Sequence, residues 1–261
     1  MKIKEDIFSV ASLYDTFFID MYGVLFDGSE LYGGTLSTLK RLKEMKKKIV
    51  LVSNTSQLSA DAMHGYAERD MHYGVHYDYF VTAGELLRDI LLNHSDIFDK
   101  QIGKEFLSVK YLFMGNTNVF KNTKFIKSDT YEDADLIYVA SPRAHYGSVR
   151  LDNLYDESGN KVELEEFLHK NWKTLRDDQG RQGLAEFALQ LEKLATLGKT
   201  LFLSNPDFFA PFKIDNEKHP VVTQGAIGFY YEKFFGGKVL YFGKPFVEIF
   251  MLVAWGIFLS A

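Results

Sequence analysis

Short, β-prone apolar runs, each closed by polar or small residues, constrain this chain more than any other feature. Thr16-Phe17-Phe18-Ile19 ends at Asp20, and Ile49-Val50-Leu51-Val52 ends at Ser53-Asn54. Tyr79-Phe80-Val81-Thr82 runs up to Gly84, and Thr200-Leu201-Phe202-Leu203 ends at Ser204-Asn205. Between the early runs, Leu36, Leu39, Leu42 and Met45 recur at helical spacing, as do Leu86, Leu87, Ile90 and Leu91. Strands apolar along their whole length belong to parallel sheets covered on both sides. The β-α-β-α alternation therefore predicts an α/β fold, a Rossmann-like parallel sheet core with helices on both faces.

The middle of the chain reads differently. Tyr111-Leu112-Phe113-Met114 and Leu136-Ile137-Tyr138-Val139 are strand candidates set among polar, turn-rich stretches, and residues 150–183 are strongly polar. A helix is expected over 184–197, with Leu184, Phe187, Ala188, Leu191 and Leu194 on one side. At 261 residues the chain has room for a core and a smaller domain. The expected organisation is a core of residues 1–83 and 198–261, interrupted by a domain of residues 84–197.

Composition removes several functions. The formal net charge of −5 gives no polyanion-binding face, so no nucleic-acid partner is expected. The absence of cysteine excludes disulfides, thiolate catalysis and cysteine-ligated zinc. The charged start Met1-Lys2-Ile3-Lys4-Glu5-Asp6 leads into no apolar signal segment, which makes a cytoplasmic protein the expectation. The apolar tail Met251 to Ser260 is shorter than the roughly 20 residues that span a bilayer, so no membrane association is expected. A partner subunit of a homo-oligomer is one way of covering it.

Ligands of open α/β sheets gather at the carboxyl ends of the strands. Four polar groups fall there: Asp20, Ser53-Asn54, Asn205-Pro206-Asp207, and Gly243-Lys244 after Val239-Leu240-Tyr241-Phe242. A carboxylate, a hydroxyl with an amide, and an ammonium in one crevice suit phosphoryl transfer. Asp20 would attack phosphorus, Lys244 would neutralise oxyanion charge, and Ser53 with nearby N–H groups would hold the transferring oxygens. Plainer roles exist for several of these residues. Ser53 and Asn54 are also suited to capping the next helix, and Asn-Pro-Asp is an ordinary turn sequence. His72 and His76 share a face if their segment is helical, but a pair without a third ligand does not make a metal site.

Asp20-Met21-Tyr22-Gly23-Val24-Leu25 resembles the first motif of the haloacid dehalogenase superfamily, an apolar strand ending in Asp-x-Asp-Gly-x-Leu. Val50 to Thr55 resembles its second motif. Asn205-Pro206-Asp207 followed by Gly243-Lys244-Pro245 resembles its class IIA, which includes nitrophenyl-phosphate, pyridoxal-phosphate and sugar-phosphate phosphatases. The resemblance implies an inserted α/β cap domain of the C2 type, in the place of residues 84–197. It further implies a Mg²⁺-dependent phosphatase of a small phosphate ester, working through an aspartyl-phosphate on Asp20. Asp20, Tyr22 and Lys244 would be catalytic and Ser53, Asn54, Asn205 and Asp207 would bind substrate. The Asp20 carboxylate and the Tyr22 main-chain carbonyl would hold Mg²⁺.

The chain departs from that pattern twice. Tyr22 stands where the family has its acid–base aspartate, and a phenol titrating near about 10 is a poor base at neutral pH. After Glu248 there is no acid to supply the family's last metal-binding motif, so Mg²⁺ is expected to bind weakly, as in a chain shortened or divergent at that end. These departures keep a second reading open, a non-catalytic binding or regulatory protein on the same fold. A third is a 2-haloacid dehalogenase, which Tyr22-Gly23 and Phe26-Asp27 also resemble. Only about thirty residues separate Asp20 from Ser53, too few for the cap domain such enzymes carry there.

Overall fold

The computed structural model describes residues 6–93, 109–115, 118–140, 150–214 and 216–251. Three parallel strands, β1 (Thr16–Asp20), β2 (Lys48–Ser53) and β3 (Tyr79–Thr82), form a sheet in the order β1-β2-β3. The central strand β2 is buried from Ile49 to Ser53, and its alternate side chains meet different layers. Ile49 and Leu51 pack with Leu39 and Leu42 of the helix Thr35–Glu44 and with Ala62 and Tyr66 of the helix Ser59–Ala67. Val50 and Val52 face the opposite way, onto Leu86, Leu87, Ile90 and Leu91 of the helix Ala83–Asn93. This period of two, with apolar cover on both sides, is why the run carries no polar alternation.

Five further strands make a second parallel sheet. They are β4 (Lys110–Met114), β5 (Ile126–Lys127), β6 (Leu136–Val139), β9 (Thr200–Leu203) and β12 (Lys238–Tyr241), in the order β12-β9-β6-β4-β5. Tyr111, Leu136, Tyr138 and Phe202 pack on the helix Ala83–Asn93, which therefore lies between the two sheets. Ile137, Val139, Leu201 and Leu203 face the other side, against the helices Gly183–Thr196 and Gln224–Phe235. The short ribbon β7 (Leu154–Tyr155) with β8 (Arg176–Asp177), and the hairpin β10 (Phe209–Ile214) with β11 (Glu217–Val222), are separate two-stranded pieces.

The expected return to the first unit at residue 198 does not occur in the sheet pairing. β9 pairs with β6, Leu136 opposite Thr200, and β12 pairs with β9, so both strands extend the second sheet rather than the first. An apolar run reports that a strand is buried, not which neighbour it pairs with. The tail beyond Met251 lies outside the described residues. Among the described residues no helix is long and apolar enough to cross a membrane.

His72 and His76 do not share a helix face. Residues 71–77 form a turn in which the His72 N–H donates to His76 Nδ1 at 3.0 Å and Gly74 takes φ 77°. His76 is buried, and that burial, followed by the neighbouring His72, holds its pKa below the usual imidazole value. An unfolded chain therefore takes up this proton first. The stability due to His76 is complete above about pH 6.5 and is lost as the pH falls through the lower folded value. His76→Gln should flatten the fall in melting temperature between about pH 7.5 and about pH 5. Parallel curves for variant and native chain would show that other groups carry the acid sensitivity.

Candidate active site

The parallel register of β1 and β2 sets Asp20 opposite Val52, bringing the ends of the two strands together. Lys244 arrives from β12 through Gly243, which takes φ 109°. A Cβ on Gly243 would lie 2.8 Å from Asn54 Oδ1 and 3.0 Å from the Ala83 Cβ, so both conformation and space call for glycine. Lys244 Nζ forms an ion pair with Asp20 Oδ1 and donates to the Val52 carbonyl at 3.3 Å. The Met21 N–H donates to the same Asp20 Oδ1 at 2.7 Å. Two donors thus fix one carboxylate oxygen.

Asn54 organises the rest. Its Oδ1 accepts the Lys244 backbone N–H at 2.7 Å, while Nδ2 donates to the Lys244 carbonyl and to Asp207 Oδ1, each at 3.1 Å. Asp207 is held by its own turn, its N–H donating to Asn205 Oδ1 at 2.9 Å. Although part of Asp207 stays exposed, withdrawal of its carboxyl from water raises its pKa; Asn54 and Lys244 oppose this, and Asp20 adds to it. Ser53 is buried, and its Oγ accepts the Thr55 N–H at 3.3 Å. Neither Ser53 nor Asn54 caps the following helix, which starts at Ser59 with Leu58 as its N-cap.

Asp20, Tyr22, Ser53, Asn54, Asn205, Asp207 and Lys244 all line one cavity of about 370 Å³. Tyr22 is 44% exposed and sets its ring edge-on to Phe26, with centroids 5.3 Å apart. The opposite wall is the β10–β11 hairpin, which the sequence did not reveal. It is tied to the loop that follows Asp20 by Lys218, whose Nζ donates to Asp27 Oδ2 at 2.7 Å. Lys218, with the Glu30 and Ser29 N–H groups, holds the Asp27 carboxyl well below the usual range. Gly28 (φ 100°) lets the hairpin come close, since a Cβ there would lie 3.2 Å from the Pro211 carbonyl.

Magnesium coordination by these residues is incomplete. Mg²⁺ takes near-octahedral oxygen ligands, commonly one or two carboxylates with waters and substrate phosphate oxygens. Of the two carboxylates in the cavity, Asp20 is engaged by Lys244 and Asp207 by Asn54. Among the described residues no three His, Asp or Glu side chains stand together in a way that could hold a metal ion. The cavity's own side chains do not form a metal site by themselves.

A carboxylate from the end of the first sheet and an ammonium from the end of the second are paired beside a buried hydroxyl, which makes this cavity the candidate active site. Residues 17–121 match the family model described as haloacid dehalogenase-like hydrolase. Among solved structures, a hydrolase of the haloacid dehalogenase-like family from Brucella suis 1330 aligns with a TM-score of 0.65 and 18% identity, over 98% of this chain and 75% of that one. A possible sugar phosphatase of the same superfamily from Cytophaga hutchinsonii aligns with a TM-score of 0.64 and 17% identity, over 100% and 78%. A glycerol phosphate phosphatase from Mycobacterium tuberculosis, solved in complex with magnesium, aligns with a TM-score of 0.52 and 18% identity, over 95% and 60%. At such identities the structures speak for the fold alone. A search of curated proteins found no match by sequence. The family match over residues 17–121 and the fold over nearly the whole chain make it similar to haloacid dehalogenase-like hydrolases.

Proposed function

We propose that the protein is a phosphatase of small phosphate monoesters, working through an aspartyl-phosphate on Asp20. The observation that carries this is the Asp20–Lys244 ion pair in the cavity. Met21 N–H and Lys244 Nζ both engage Asp20 Oδ1, which leaves Oδ2 as the attacking oxygen. Oδ2 forms a bond to phosphorus as the ester P–O bond breaks, and the electron pair leaves with the alcohol oxygen. Lys244 and the buried Ser53 hydroxyl offset charge on the transferring oxygens. Water then attacks the aspartyl-phosphate and restores Asp20. The non-catalytic reading draws on the incomplete metal shell, and the same experiment decides between the two.

Hydroxylamine added during incubation with an aryl phosphate should convert the aspartyl-phosphate to a hydroxamate at position 20, read by peptide mass spectrometry. Adduct at another residue, or none while phosphate is released, would sink the assignment. With Tyr22 in place of a carboxylic acid, the water-attack step lacks a competent base, a loss of typically about 10²–10⁴-fold. The phosphoenzyme should therefore accumulate, and the alcohol should be released in a burst while phosphate appears without one.

Magnesium binding is expected to be weak, because the family's last acidic ligands have no counterpart among the described residues. Millimolar MgCl₂ should raise the melting temperature by no more than about 2 °C, since stabilisation grows as RT ln(1 + [L]/Kd). A shift of about 5 °C or more would show that further ligands complete the site.

A further inference from the structure

The polar floor of the cavity is drawn from two sheets. Asp20, Ser53 and Asn54 lie at strand ends of the first, and Asp207 and Lys244 follow strands of the second. Phosphoryl transfer needs such groups aligned to within about an ångström, whereas apolar packing is non-directional and does not by itself set one sheet against another. Beside the floor, a ring of hydrogen bonds crosses the junction between the sheets. Tyr138 Oη donates to the Ser56 carbonyl at 3.4 Å and lies 2.9 Å from Ser204 Oγ. Ser204 Oγ lies 3.5 Å from Gln224 Oε1, and Gln224 Nε2 donates to the Ala140 carbonyl. The same carbonyl accepts Ser56 Oγ at 3.0 Å, which closes the ring. Its members come from β6, the ends of β6 and β9, and the helix Gln224–Phe235 on one side, and from the loop after β2 on the other.

The ring sits where polar atoms are most expensive. Tyr138 and Ser204 are fully buried and Gln224 nearly so, and a buried polar group costs stability unless it is hydrogen-bonded. β6 reads Leu136-Ile137-Tyr138-Val139, all buried, and a phenylalanine would fill the place of Tyr138 without a hydroxyl to satisfy. Burial pushes the Tyr138 phenol far above its ordinary range, with Ser204 and Ser56 opposing, so the hydroxyl keeps its proton at neutral pH. Ser56 is gripped twice, its carbonyl by Tyr138 and its hydroxyl by Ala140. Gly84 makes room for this grip, since a Cβ there would lie 2.3 Å from the same Ser56 carbonyl oxygen. Two residues earlier stands Asn54, which holds the Lys244 backbone. Neither Tyr138 nor Ser204 is among the residues that line the cavity, so any effect they have on chemistry passes through this loop. Directional bonds in a low-dielectric interior fix a junction that apolar contacts would let slide.

Resting on the proposed phosphatase reading, we infer that Tyr138 and Ser204 are positioning residues: through Ser56 they set the Ser53–Ser56 loop against the second sheet, and so align Asp20 and Ser53 with Lys244. The test is Tyr138→Phe, which removes one oxygen and keeps the ring, set beside Tyr230→Phe. Tyr230 is equally buried, and its hydroxyl donates to Asn171 Oδ1 at 2.9 Å and accepts the Trp172 N–H at 3.2 Å, away from the cavity lining. Both variants should lose a few degrees in melting temperature. Tyr138→Phe alone should also lower kcat for an aryl phosphate, by about tenfold, the scale of one hydrogen bond. Affinity for inorganic phosphate, read by calorimetry, should change by less than about threefold, because misalignment is felt in the transition state more than in the ground state. Ser56→Ala enters the same ring from the first sheet, and in that background Tyr138→Phe should cost less than about twofold, since both act on one loop. Ser204→Ala supplies the same comparison if Tyr138→Phe fails to fold. An unchanged kcat in Tyr138→Phe, an equal loss in Tyr230→Phe, or full additivity with Ser56→Ala would overturn the positioning role and leave the phosphatase standing. A native chain that neither turns over the ester nor binds phosphate would overturn both.

Discussion

Asp20→Asn should lower kcat/KM for an aryl phosphate by at least about 10⁴-fold, because it removes the carboxylate proposed to attack phosphorus while keeping its shape. The side chain would still accept the Met21 N–H, and Lys244 would still reach the Val52 carbonyl. What is lost for stability is one ion pair whose Asp20 side is 42% exposed. Pairs open to solvent contribute about 0–1 kcal/mol, so the melting temperature should move by no more than about 2 °C. That separation of activity from stability makes the experiment diagnostic. A variant that keeps its rate would assign turnover to another group, and one that loses its rate only by unfolding would decide nothing about nucleophilicity. Lys244→Ala should cost less than Asp20→Asn, since it removes charge stabilisation but not the bond-forming atom. A reversed order would contradict the assigned roles.

The candidate floor was legible in the sequence for a physical reason. Asp20 and Ser53-Asn54 close strands of the first sheet, Asn205-Asp207 and Lys244 follow strands of the second, and parallel strands of one sheet deliver their carboxyl ends to the same edge. The wall was not legible. Pro211 stands opposite Pro220 in the β10–β11 pairing, and proline argues against a strand in any sequence reading. It is tolerated here because the hairpin is a two-stranded ribbon whose outer edges pair with no other strand of a described sheet. The helix Gln224–Phe235 escaped notice because Gly225 and Gly228 sit inside it and its buried residues lie on several sides, which removes the periodic contrast. Gly228 is there for space, since a Cβ would come within 2.5 Å of Leu203. Likewise, the sequence could not tell which sheet β9 joins, because the runs in β9 and β2 have the same apolar character and only strand pairing distinguishes their sheets. The two histidines failed differently. Spacing of i, i+4 implies proximity in a helix, but the turn at Gly74 brings the same residues together without one.

Gly225→Ala should damage both the fold and the site. The Asn205–Asp207 loop is clipped to the first turn of the helix Gln224–Phe235, where the Gly225 N–H donates to the Asp207 carbonyl at 3.0 Å and Thr223 Oγ1 reaches the same oxygen. A Cβ at position 225 would lie 2.0 Å from the Pro206 carbonyl oxygen and 2.6 Å from that of Asp207. Both are backbone atoms, so no rotamer change relieves the overlap and the loop must move by about an ångström. Overpacking of this kind costs about 1–3 kcal/mol, or several degrees in melting temperature for a chain of this size. The consequence for function is transmitted through one residue. If Asp207 shifts, Asn54 loses the contact that fixes its amide, and the same amide holds the Lys244 backbone. Lys244 would then be misplaced against Asp20, and a displacement on this scale costs about 10²-fold in rate. Gly65→Ala is the matched control, because it lies within the helix Ser59–Ala67 and a Cβ there meets nothing within 4 Å. It should stabilise by about 0.5–1 kcal/mol and leave kcat/KM unchanged. Should Gly225→Ala retain full activity, Asp207 and Asn54 would not be positioning Lys244, and the lysine would depend on its pairing with Asp20 alone.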